Sequence, residues 1–196
     1  MKNPGFISKK LPAQTETEVK MTMKEKSTFY YLVWGKVVCR REKKDGHYEN
    51  FLFKSGRWVE DEGHVIMDHL MGFDPSEPED STYRIGNGSV LFEMEEISEE
   101  TAISLINQQI LQILKEEWKN KFKAKKEEWD KNPGWPAKLV ETWFTLNGEK
   151  YTIKPEDIGL TSDGWDQGFM ESIQGEIEKD LESYGATDVY NLGFLD

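Results

Sequence analysis

Along this chain the alternation of apolar and polar positions changes character several times, and each change marks an element. From Thr28 the run TFYYLVWGKVVCRR is dense in aromatic and β-branched residues, which predicts a long buried strand bulged at Gly35. KKDG, Lys43 to Gly46, reads as a turn. YENFLFKSGRWVED then reads as a strand, a tight Ser55-Gly56 turn and a short return strand. A short helix follows from about Glu62 to Met71, with Asp61 as its cap, Gly72 as its stop and Val65, Ile66, Met67 and Leu70 as its apolar face. Phe73 to Ser89, rich in prolines, glycines and acids, predicts a loop, and SVLFEMEE returns to strand composition.

From Ser98 to about Asn132 the period switches to that of a helix. Ser98 is an N-cap, Glu99 and Glu100 suit the positive end of the helix dipole, and Asn132-Pro133-Gly134 is the stop. About 33 residues at about 1.5 Å each give a strut of roughly 50 Å. Ile103, Ile106, Ile110, Ile113 and Leu114 share one face, whereas Trp118, Phe122 and Trp129 centre roughly 100° further round. The pattern predicts a turn of the buried face between Leu114 and Trp118 that hands the chain from one core to another.

In the last third, WFTLNGEKYTI is an alternating hairpin around Asn147-Gly148. After the connector PEDIGLTSDG, Ser162 or Asp163 caps a helix reaching Tyr184, with Trp165, Phe169, Ile173, Ile177 and Leu181 as its apolar line and Gly185 as its stop. The closing ATDVYNLGFL reads as a strand of the second sheet.

These elements predict an α+β chain of two small lobes with mostly antiparallel sheets joined by one long helix. The boundaries are a flexible basic tail over 1–26, an N-terminal lobe over 27–114 that takes the first half of the helix, the rest of the helix with its turn over 115–134, and a C-terminal lobe over 135–196. The alternative is a single α+β domain with the helix packed across one sheet.

Charge sharpens this layout. The chain carries a net −12, distributed as +6 over residues 1–41, −9 over 42–98, −2 over 99–114, +2 over 115–131 and −9 over 132–196. Two acidic lobes thus flank a weakly basic strut, which disfavours general nucleic-acid binding while a basic protein partner or a local basic contact is compatible with it. One cysteine, Cys39, in a strand-like run leaves no disulfide framework or Cys-based metal site and fits a reducing compartment. The N-terminal stretch lacks a signal peptide's apolar segment, and no segment reaches the roughly 18 apolar residues of a membrane span, so the expected location is the cytoplasm without membrane attachment.

Candidate chemistry is sparse. His64 and Asp68, four apart with Asp61 and His69 nearby, are set against a plain structural role, as no third metal ligand is indicated. Asp74, Glu77, Glu79 and Asp80 lack the spacing of a calcium loop, RIGNGS lacks the helix and Lys of a phosphate loop, and Cys39 is no nucleophile at a helix end. No catalytic residue, metal or cofactor is expected. The candidate partner-binding residues are Trp118, Lys119, Phe122, Lys123, Lys126 and Trp129 on the strut, where a local nucleic-acid contact over Lys119 to Lys126 is a minor reading. Glu171, Glu178 and Glu182 on the last helix complete the set. The leading expectation is a non-catalytic cytoplasmic binding or regulatory protein acting through protein–protein contact. One alternative is an acidic nucleic-acid mimic that inhibits a nucleic-acid-processing enzyme, of a kind mobile elements encode; another is an enzyme with a site at the lobe junction.

Overall fold

A computed structural model describes residues 27–159 and 165–195 except 75, 79, 80, 82, 83, 85, 130 and 132–135, and the backbone alone at 129, 136–140, 165–172 and 191–195. The predicted tail over 1–26, the Asn132-Pro133-Gly134 stop and the Ser162 or Asp163 cap lie outside the described residues. The class is α+β: two antiparallel sheets and one long helix. The first sheet has the strand order β4-β3-β2-β1-β5, built from β1 (Thr28–Val33), β2 (Val37–Lys44), β3 (His47–Lys54), β4 (Arg57–Glu60) and β5 (Met94–Ile97).

The predicted single strand from Thr28 is instead a hairpin. Val33 pairs with Val37, and Trp34 and Gly35 turn the chain at φ of 52° and 64°. Positive φ is unusual for a tryptophan, which is why the sequence reads as one strand. Here two hydrogen bonds hold it: the Trp34 N–H to the Glu93 carbonyl at 2.7 Å and its indole Nε1 to Glu93 Oε2 at 2.8 Å. The Asp45-Gly46, Ser55-Gly56 and Asn147-Gly148 turns follow the expected two-residue rule, each with positive φ at both positions. Gly56 has a second reason to be glycine, since a Cβ there would sit 2.4 Å from the Tyr184 ring, far down the chain.

Helix α1 spans Val65–Met71. Asp61 caps it from outside, its two carboxylate oxygens each accepting a backbone N–H, from Val65 and Ile66, at 2.9 Å. Ile66 and His69 face inward while Leu70 is exposed, so His69 takes the place expected of Leu70. SVLF is helical instead of extended: α2 (Gly88–Leu91) is a single turn capped by Asn87, and the strand starts only at Met94.

Helix α3 runs Glu99–Trp129, with Ser98 Oγ accepting the Thr101 N–H at 3.1 Å. Its buried apolar positions are Ala102, Ile106, Ile110, Leu114, Trp118 and Phe122, a strict step of four. Each such step advances about 40° round a helix, so this line winds about 200° from end to end. The expected abrupt turn between Leu114 and Trp118 is therefore a steady drift. The drift lets one helix serve both sheets: a single apolar cluster joins Val38, Phe53 and Ile97 of the first sheet, the α3 line, and Phe144, Leu146 and Ile153 of the second. The other face of the first sheet has its own cluster, with Cys39 and Leu52 under Ile66 of α1.

In the second sheet β6 (Pro136–Leu146) is central and pairs antiparallel with β7 (Glu149–Ile153), β8 (Trp165–Asp166) and β9 (Thr187–Leu195). Helix α4 (Gln167–Ser183) buries Ile173, Ile177 and Leu181 as expected. Trp165 precedes that helix, paired with Ala137 in β8, because the start of β6 offers it a strand partner.

Candidate binding face of the C-terminal sheet

Alternation along β6 sends Thr142, Phe144 and Leu146 inward, where all three are buried, and Trp143 and Thr145 outward. Trp143 is directly paired with Thr152 of β7 on one side and with Tyr190 of β9 on the other. Neighbouring strands lie about 4.8 Å apart, so the Trp143 and Tyr190 side chains leave the same face of the sheet from adjacent positions. They remain open, Trp143 at 48 % and Tyr190 at 63 % exposure. A register shift follows Trp143 on β6, and Asp188 opposite it takes a φ of 50°. Such an irregularity re-aims the strand beside it.

The result is a cavity of about 510 Å³ on the outer face, lined by Trp143, Thr145, Lys150, Thr152, Asp188 and Tyr190 among others. Its walls combine two broad rings with hydroxyls, one ammonium and one carboxylate. Among its described lining residues no nucleophile is paired with a base, and what they offer is ring faces, hydroxyls and one charge of each sign. The face is one that helices α3 and α4, which pack on the buried side, leave uncovered.

The strut residues singled out from the sequence are placed differently. Trp118 is 1 % exposed and Phe122 fully buried, so neither ring can stack on a partner: both belong to the core. The Trp118 indole N–H donates to Asp180 at 3.0 Å. Lys121 pairs with Glu176 at 2.7 Å and with Asp180 at 3.2 Å, and Lys125 pairs with Glu176. The strut's lysines and the acids of α4 thus bind each other. Lys119 and Lys123 are exposed and Lys126 is half-buried. Glu178 and Glu182 are exposed on α4, while the side chains of Trp129 and Glu171 lie outside the described residues.

The His64–Asp68 constellation does not assemble. His64 is exposed, Asp61 is spent on capping, and His69 is turned inward. Among the described residues no three His, Cys, Asp or Glu side chains are grouped to hold a metal. Asp74 is committed to Ser76 and Asn87, hydrogen bonds that hold its carboxyl below the usual range, and Glu79 and Asp80 lie outside the described residues. No helix among the described residues is long and apolar enough to cross a membrane.

Sequence reasoning missed Trp143 and Tyr190. The available signal was WFTL itself: two adjacent aromatics on a strand must face opposite ways, and only one can enter a core covered on one side. What the fold and this face define is an α+β protein whose second sheet leaves one aromatic face uncovered. No protein-family model, no curated protein and no solved structure matches the chain.

Proposed function

We propose that the chain is a non-catalytic binding or regulatory protein that docks a basic segment of a partner protein on the outer face of its C-terminal sheet. The observation that carries this reading is the exposed Trp143–Tyr190 pair over an otherwise polar cavity. Broad amphipathic rings lose little conformational freedom on contact and are favoured anchors of protein interfaces. Basic partners suit the −12 net charge and the −9 of residues 132–196, and Lys or Arg side chains are attracted to ring faces. The single cysteine fits action in a reducing compartment such as the cytoplasm.

The nucleic-acid-mimic reading has less support. Two of the α4 carboxylates that would imitate phosphates, Glu176 and Asp180, are engaged by Lys121 and Lys125. The test is affinity capture from cells with the native chain and with Trp143→Ala/Tyr190→Ala. Loss of a specific basic partner from the variant, at an unchanged melting temperature, supports the proposal. The same partners retained at the same yield, or a nucleic-acid enzyme captured equally by both, overturns it.

A further inference from the structure

A second cavity, of about 380 Å³, lies between α1, the Trp34 turn and the segment leading into β5. Trp34, Phe73, Asp68, His69, Asp74 and Glu93 are among its lining residues, and among the described residues no Lys or Arg lines it. His69 is 4 % exposed. Its Nδ1 lies 2.7 Å from the Val65 carbonyl oxygen. A carbonyl only accepts, so Nδ1 carries a proton, and in the neutral tautomer this leaves a bare lone pair at Nε2.

That lone pair has no hydrogen-bond partner, and it points at Glu93 Oε2, 3.7 Å away. Glu93 Oε2 already accepts the Trp34 indole N–H at 2.8 Å, whereas in this tautomer the buried Nε2 faces that second acceptor with no donor of its own, which costs free energy. A group donating two N–H bonds, placed about 2.8 Å from each atom, would satisfy both. Asp68 adds a third acceptor: its carboxyl has no hydrogen bond among the described residues, and burial raises it above the ordinary range. Asp74 is less available, being held by Ser76 and Asn87. Trp34 and Phe73 supply the apolar walls, and Phe73 already carries a cation on its ring, the Arg84 guanidinium at 4.9 Å.

We propose that this cavity binds a small organic primary amine, whose ammonium bridges His69 Nε2 and Glu93 with Asp68 as its third acceptor. Three N–H donors meet three acceptors, and the alkyl part lies between Trp34 and Phe73. Nε2 is sealed from solvent, and the Trp34 ring, 5.3 Å from the imidazole, and Glu93 stand over it. Both side chains are about half exposed, so a small displacement of either admits the ligand.

The probe is n-butylamine, with n-butanol as its uncharged control, titrated at about pH 8, where an ordinary imidazole is neutral and an alkylammonium still charged. Binding is read by calorimetry and by the ring ¹⁵N shift of His69 Nε2. Saturable binding of butylamine that moves the Nε2 resonance, absent with butanol, is the expected result. Glu93→Gln, which keeps an acceptor for Trp34, and Asp68→Asn should each weaken binding about tenfold or more while leaving the fold intact. A blocked lysine tripeptide is the second arm: tighter binding than butylamine would place the ammonium on a protein chain, and weaker binding on a free amine. An Nε2 resonance unmoved by excess butylamine, an equal response to butanol, or unchanged affinity in both variants overturns the proposal.

Discussion

Asn107 of α3 and Asn147 of the β6–β7 turn are joined by a 2.7 Å hydrogen bond, Nδ2 of Asn147 donating to Oδ1 of an Asn107 that has no exposed surface. The Asn107 amide in turn donates toward the Leu146 carbonyl, Glu149 and the Tyr151 hydroxyl at 3.1 to 3.3 Å. A single buried amide therefore fixes the long helix to the hairpin that carries Trp143. Asn107→Ala removes a buried amide together with its hydrogen bonds to the hairpin and should cost about 2 kcal/mol in urea unfolding. Asn107→Leu should cost no less, because it also removes every partner.

The same network sets a pH dependence. The Tyr151 hydroxyl and then the Asn107 amide, both donating to Glu149, hold its carboxyl below the usual range. A depressed acid stabilises the fold above its unfolded pKa and loses that contribution as pH falls through its folded value. The stability difference between the native chain and Glu149→Gln, followed by urea midpoints, should therefore shrink from about pH 5 toward about pH 3. A difference that grows on acidification would rule out the network as drawn.

Asp61 makes a sharper case for capping. Both of its oxygens serve α1, at Val65 and Ile66, and the residue is itself buried. Asp61→Ala should cost about 2 kcal/mol, and Asp61→Asn should recover only part of this, since an amide offers one acceptor for two N–H groups. Hydrogen exchange at the Val65 and Ile66 amides should rise in both variants.

These predictions show where the text of the chain was legible. Turns were read wherever a small polar residue preceded glycine, as at Asp45-Gly46 and Asn147-Gly148, because local chemistry alone demands positive φ there. Trp34-Gly35 was not, because its strain is held by Glu93, a residue distant in sequence. Asp61 as a cap and Ile173, Ile177 and Leu181 as a core line were local too. The strut was read as a helix, but the fate of its aromatics was not. Whether Trp118 faces a partner or α4 depends on Asp180, which no local window contains. The candidate binding face was hidden for the same reason: Tyr190 reaches Trp143 only through the β6–β9 register.

On the strut, packing and charge can be separated by substitution. Phe122→Ala and Trp118→Ala remove fully buried rings and should each cost about 3 to 5 kcal/mol. Lys121→Ala and Lys125→Ala break pairs that are partly exposed on both sides and should cost less than about 1 kcal/mol each. Urea denaturation ranks the four, and lysine variants as damaging as the ring variants would refute this division.

Cys39 gives the last test. It lies on β2 against Leu52 and Ile66 with no exposed surface, and burial, reinforced by the negative Asp61, pushes its thiol up to about 12. An acid whose folded value is raised favours folding while it is protonated, and the native chain loses stability as pH rises past the ordinary thiol range. Relative to Cys39→Ala, which should cost about 1 kcal/mol near neutrality, the native chain should therefore lose ground from about pH 9 upward. At about pH 8 a small thiol reagent should modify Cys39 only as fast as the first sheet opens, since the thiolate is the nucleophile. In urea, labelling should appear with the same midpoint as the loss of secondary structure. Prompt labelling of the folded chain would show that the α1 side of the first sheet is open.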